Sequence, residues 1–222
     1  MENRLEEMSS SLELSIIDSK LQDLSIDILE QPLDALCQNE AVKDIPIINV
    51  CVGIVKTYYN FTDWRLSRKI IAFLSNLAGI DIEKRQEMVN KIYEDSKYKV
   101  KVGDRLLSIL DKCDDKIKAI CVAQLFAAYI EKKISYDDFL RTSFAVNSIS
   151  LIDLQEFLAI DDKQDLDEID CHIYTNAGLI ARYDINEIKK IEESPREQYR
   201  VGKLYNKYTH VGRLVKDILN IA

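Results

Sequence analysis

The residues that could do chemistry are few, and their spacing suits little of it. The chain has five cysteines, Cys37, Cys51, Cys113, Cys121 and Cys171, and two histidines, His172 and His210. Cys171 and His172 are adjacent, but no second Cys or His stands at the spacing of a zinc site. Cys171 follows the acidic run Asp161, Asp162, Asp165, Asp167, Glu168 and Asp170, a setting that disfavours the thiolate a nucleophile needs. That run lacks the Gly and the distal Glu of a calcium loop, so it reads as a solvated helix start. There is no phosphate-binding glycine loop, no dinucleotide fingerprint, no H-E-x-x-H and no G-x-S-x-G. Carboxylate pairs occur throughout a chain that is 31% charged, so they say nothing about acid–base catalysis. The reading is of a non-catalytic protein without catalytic, cofactor-binding or metal-ligating residues.

Composition narrows the architecture. Only 6 Gly and 3 Pro occur in 222 residues, where ordinary usage gives roughly 16 and 11. Turn-rich β-sandwiches and propellers are therefore disfavoured, and an apolar fraction of 47% argues against general disorder. The net charge is −8, and residues 1–44 alone hold 3 basic and 11 acidic side chains. The remaining residues balance at 27 against 27, so no segment has the basic excess of a protein that neutralises many phosphates. An odd number of widely spaced cysteines points to a reducing compartment, and the expected location is cytoplasmic. The acidic start, MENRLEEMSSSLELS, is unlike a signal peptide, and the longest apolar run, 45–55, is interrupted by Pro46 and Asn49.

The expected fold class is mainly α, with an antiparallel helical body and a small α+β C-terminal domain. Residues 1–31 read as a helix or helical hairpin, which Ser9-Ser10-Ser11 could break. Ile17, Leu21, Leu24 and Ile28 form one apolar stripe, packed either on its own domain or against a partner or second copy. They are the candidate partner-binding residues. Asp44 and Pro46 open an apolar helix over 45–61, expected near the centre of a core. Its aromatic and basic exit, Tyr58, Tyr59, Phe61, Trp64, Arg65, Arg68 and Lys69, also suits a membrane interface. Further helices are expected over 64–77, 82–96, 105–110, 116–131 and 136–146. The last two open on Asp114 and on Ser135, whose S-x-x-D start has Asp138 in third place. The segments are thus an acidic helical stretch, 1–44, a bundle, 45–147, and a C-terminal unit, 148–222.

That last unit reads as a short helix over 151–158, a turn at Asn176-Ala177-Gly178 and a strand through Tyr183. A charged stretch over 184–200, a second strand over 202–209 and a helix over 212–221 follow. Gly178, Leu179 and Ile180, with Tyr205, Thr209 and Gly212, resemble the end of a winged-helix domain. The resemblance covers about 75 residues. It implies that the Gly-Leu-Ile turn follows a recognition helix and that Thr-x-x-Gly joins the wing's return strand to a final helix. It also implies nucleic-acid binding through that helix, and winged helices serve as protein-interaction modules too. Asp165, Asp167, Glu168 and Asp170 would repel phosphate from the recognition helix, which favours a protein partner. Lys189, Lys190, Arg196 and Arg200 are the candidate wing contacts if DNA is the ligand. The expected function is a protein-interaction adaptor or regulator, with a homo-oligomer as one form of it. The alternatives are a DNA-binding regulator and a membrane-active effector using the 45–61 helix.

Overall fold

The computed structural model describes residues 2–24, 35, 38–40, 42–58, 61–94, 101–161, 166, 171–191 and 194–219. Within these ranges it describes all side chains but those of 2–4, 54–58, 61, 63, 93, 184–191 and 194–205. The chain is mainly helical, with a two-stranded sheet near its end. The elements are α1 (Glu2–Ile16), a 3-10 turn (Ser19–Asp23), α2 (Pro46–Tyr58), α3 (Phe61–Ser75), α4 (Ile82–Glu94) and α5 (Val102–Lys112). They continue as α6 (Lys116–Ile130), α7 (Tyr136–Ser148), α8 (Leu151–Ala159), α9 (His172–Asn176), β1 (Ile180–Ile191), β2 (Ser194–Tyr208) and α10 (His210–Ile218).

Helix α6 is the axis of the body. Its sequence, KIKAICVAQLFAAYI, is apolar nearly all round, and Ala119, Cys121, Val122, Leu125, Phe126 and Ala128 are buried on every side of it. It packs on α3 and α7, and Phe126 joins them, with ring centroids 5.7 Å from Phe73 and 5.1 Å from Phe139. The N-cap of α6 is Asp115, one residue later than expected, accepting from the Ile117 amide at 2.7 Å. The helix ends with Lys132 at φ 61°, where glycine is more usual. The Lys133 amide reaches back to Ala128 O and the Lys132 amide to Tyr129 O, both at 2.9 Å.

The last carbonyls of a helix lack intrahelical partners, and buried ones must find others. A chain with 6 glycines has few residues for the common left-handed stop. Here, long cationic side chains from neighbouring helices serve instead. Lys69 of α3 donates to Asp111 O at 2.9 Å and Cys113 O at 2.8 Å, at the end of α5. Lys118 of α6 is almost wholly buried and donates to Ile149 O at the end of α7. Its ammonium lies 3.0 Å from Asp114 Oδ1. Arg85 of α4, also buried, donates to Ile16 O at the end of α1, to Asp18 O at 3.1 Å and to Ile80 O at 2.9 Å. Lys216 of α10 donates to Ile160 O at the end of α8. Each cation meets the negative end of a helix dipole as well as an unpaired carbonyl.

The N-terminal helix is part of this core. Met8, Leu12 and Ile16 are buried as α1 packs on α2 and α5. The serine run does not break the helix. A Cβ on Gly103 of α5 would lie 2.9 Å from the Ser9 carbonyl carbon, so the two backbones approach without an intervening side chain. Ser15 Oγ accepts from the Ile47 amide at 3.0 Å and donates to Ser11 O at 2.7 Å. It thus caps α2 from another helix, the role expected of Asp44, which pairs with Lys20 instead.

The partner-binding stripe needs correction. Helix α1 stops at Ile16, and the chain turns through Ser19–Asp23. Leu21 and Leu24 have no exposed surface, so these two are not offered to solvent, and Ile17 is half-buried against the core. Their spacing of four and three matched a helix, but the residues sit in a tight turn that folds inward. Ile28 lies outside the described residues.

The C-terminal unit joins the same core through α10, which packs on α7 and α6 with Val215 buried. Strands β1 and β2 form one antiparallel hairpin, with Ile180 opposite Tyr208 and Lys190 opposite Gln198. The strands run through 184–200, read from sequence as a charged connection, and the register shifts between Lys190 and Ile191. The base of the hairpin is anchored by Ile180, which is buried, and by Tyr208, whose ring lies 5.8 Å edge-on from that of Phe157.

Candidate partner-binding groove

The N-terminus of α7, the turn after α9 and the start of α10 enclose an open groove. The serine of S-x-x-D closes a complete capping box. The Asp138 amide donates to Ser135 Oγ at 3.1 Å, while Asp138 Oδ2 accepts from the Ser135 amide at 3.2 Å and from its hydroxyl at 2.7 Å. The second carboxylate oxygen, Oδ1, lies 3.0 Å from His210 Nε2, where α10 begins. Burial tends to raise the Asp138 carboxyl, but the Ser135 hydroxyl and amide, with His210, outweigh it and hold it below its ordinary value.

Serine, aspartate and histidine thus meet, but in an order that does not suit acyl transfer. In a hydrolase triad the imidazole lies between serine and carboxylate and takes the serine proton. Here the carboxylate lies between, and the hydroxyl is engaged as a helix cap. The chemistry of the cluster is to lock α10 onto the start of α7.

The floor and far wall come from a second lock. Thr209 caps α10, accepting from the Gly212 amide at 2.9 Å, and its hydroxyl lies 2.6 Å from Gly178 O. The Thr209 amide donates to Leu179 O at 3.0 Å. Gly178 turns the chain at φ 76°. The Gly-Leu and Thr-x-x-Gly sequences, about 30 residues apart, are therefore two halves of one joint.

Between these locks the groove has a volume of about 820 Å³ and includes Leu140, Arg141, Phe144, Ala177, His210 and Val211 in its lining. Phe144 is 67% exposed, although the body of α7 is well packed. Tyr136, Phe139, Ser143 and Val146 face the core, and Phe144 lies on the opposite side with Leu140 and Arg141 one turn before it. An aromatic ring in a groove, rimmed by charged side chains, is a composition used for protein contacts.

The other sequence-derived sites fare differently. Side chains at 189, 190, 196 and 200 lie outside those described, but the backbone register sorts their positions. Lys190 and Arg200 share one face of the hairpin, Lys189 is on the other, and Arg196 lies beyond the register shift. Helix α9, which precedes the Gly178 turn, is five residues long and reads HIYTN, without Lys or Arg. Asp165, Asp167, Glu168 and Asp170 lie outside the described residues. Cys51, Cys113, Cys121 and Cys171 are free and buried. Burial pushes the Cys51 and Cys113 thiols up to about 11 and Cys121 to about 12. Cys171 donates to Leu166 O at 3.3 Å. Among the described residues no cluster of His, Cys, Asp and Glu could hold a metal ion. Among them, too, no helix is long and apolar enough to cross a membrane, and Ile47, Ile48, Cys51 and Val52 of α2 are buried.

Sequence reasoning missed Phe144 and the Asp138–His210 pair. Phe144 left a signal, since it falls off the apolar stripe of its own helix. The pair left none, because its members are 72 residues apart. Comparison with protein-family models, curated proteins and solved structures finds no match.

Proposed function

We propose that the protein is a non-catalytic interaction module, an adaptor or regulator, that binds a protein partner in the groove around Phe144. The observation that carries this reading is the exposure of that ring in a groove whose walls are fixed by two hydrogen-bonded joints. A preformed apolar slot with a mixed-charge rim gains affinity from one aromatic anchor without the cost of ordering a loop. The winged-helix-like arrangement of α8, α9, the hairpin and α10 fits this use. A one-and-a-half-turn α9 without cations, and wing positions split between two faces, support a protein ligand over DNA.

The test is recovery of complexes from native lysate by the wild type and by Phe144→Asp, each with and without nuclease. The reading expects a partner that is retained after nuclease and lost with Phe144→Asp, while both proteins melt alike. Recovery that depends on nucleic acid, or is indifferent to position 144, would count against it.

A further inference from the structure

The groove around Phe144 does not end at the start of α7. A second hollow, of about 550 Å³, lies between α4 and the turn that joins α6 to α7. Asp137 and Asp138 line both hollows. The two therefore meet over the first turn of α7, beside the Ser135 cap.

Each hollow has its own apolar surface. The first includes Leu140 and Phe144. The second is bordered by Met88, Ile92, Ile134 and Tyr136, side chains at the edge of the core that are otherwise buried. The Tyr136 ring is held against that of Tyr129, with centroids 5.2 Å apart, and against that of Phe139 at 5.8 Å. The adjoining turn is held as well, with Lys132 at φ 61° and the Lys133 amide returning to Ala128 O at 2.9 Å. Ring contacts and backbone hydrogen bonds thus shape the second hollow in advance of binding, as the two joints shape the first.

We propose that the occupant is an extended segment of a partner protein, crossing the first turn of α7 with one apolar side chain against Phe144 and a second against Met88, Ile92 and Tyr136. The inference rests on the reading of the Phe144 groove as a partner site. Volume and shape argue for this occupant. Small-molecule pockets run from about 300 to 1,000 Å³, and hollows of about 820 and 550 Å³ joined through common residues are larger. A path that rounds the start of a helix suits a chain free to bend at every residue better than a rigid helix about 10–12 Å across. The spacing of the anchors follows. Tyr136 and Phe144 are eight positions apart on α7, which is about 12 Å at a rise of about 1.5 Å per residue. An extended chain covers that distance in about four residues at about 3.3 Å each. Side chains four apart lie on the same side of an extended chain, so both anchors face the protein together. Recognition comes from two apolar anchors and their spacing, and asks nothing of the charges on the rim.

The test selects a displayed library of random dodecapeptides on the full-length protein. A photo-crosslinking residue is then placed at position 144, or at the exposed Lys91 in the lining of the second hollow. Mass spectrometry locates the residue trapped in each selected peptide. The expected peptides carry two apolar residues about four positions apart, one trapped from position 144 and the other from position 91. Phe144→Asp should abolish their binding and leave thermal unfolding unchanged. Peptides with a single anchor, trapped from position 144 and never from position 91, would overturn the proposal while leaving the Phe144 reading in place. Peptides that bind Phe144→Asp as well as the wild type, or a selection without enrichment, would overturn both.

Discussion

The first turn of α10 lies against the turn before β1, so that a Cβ on Gly212 would be 2.9 Å from the Leu179 carbonyl carbon and closer still to its oxygen. Two backbones meet with no room for a methyl group, and Thr209 bonds across the joint. Gly212→Ala should therefore push α10 away from the hairpin and cost about 1–3 kcal/mol, the usual range for overpacking. Thr209→Ala, which removes the cap and leaves the space, should cost about 1 kcal/mol. Chemical denaturation of the two variants checks both size and order. A neutral Gly212→Ala would mean that the joint is looser than described.

The buried cations make a second set of expectations. Replacing Lys118 or Arg85 with Met keeps much of the apolar stem but strands helix-terminal carbonyls in the core. Each unsatisfied carbonyl costs about 1–3 kcal/mol, so both variants should melt well below the wild type. Lys20→Met breaks only an exposed pair with Asp44 and should change little. If all three behave alike, cationic capping is not what holds the helix ends.

Removing residues 1–16 separates two views of the N-terminus. A bundle confined to 45–147, where the sequence places it, would stay folded without them. The buried Met8, Leu12 and Ile16 and the Ser15 cap on α2 lead to the opposite expectation. Losing even one large core side chain costs about 2–5 kcal/mol, and three would consume a typical stability of about 5–15 kcal/mol. Circular dichroism during heating should show no cooperative transition in the truncated protein.

Much of the helical body was legible because its signals are local. Helix α6 follows from an apolar run of the right length, and α7 from Ser135 and Asp138 three residues apart. The expected ends fall within a few residues of α3, α4, α6, α7 and α8. Signals set by distant contacts were not legible. Leu21 and Leu24 continue the helical spacing of Ile17 but fold inward because the chain turns after Ile16, where Arg85 holds the last carbonyl from another helix. The hairpin was read as shorter because the charged stretch 184–200 lacks an apolar alternation, yet the strands pair through it. The groove could not be read at all, since it needs Phe144, Gly178 and His210 to meet in space.

Asp138 gives a pH signature with a definite sign. Its folded-state proton affinity lies below that of the unfolded chain, so the carboxylate form stabilises the fold. That contribution is complete at neutral pH and is lost as the pH falls through about 4, near the unfolded value, toward the folded one. Asp138→Asn should be less stable than the wild type at neutral pH, and the gap should close on acidification below about pH 4. A gap that is constant over this range would show that the Ser135 and His210 contacts do not depend on the charge.

The interaction role is tested most directly by a photo-crosslinking residue in place of Phe144, with the same residue at the exposed Lys112 position as a control. Irradiation in cells of the source organism should trap one discrete protein adduct from position 144 and none from position 112. Size measurement of the adduct separates a second copy of this chain from another protein. Crosslinking to nucleic acid, or the same diffuse products from both positions, would contradict the account.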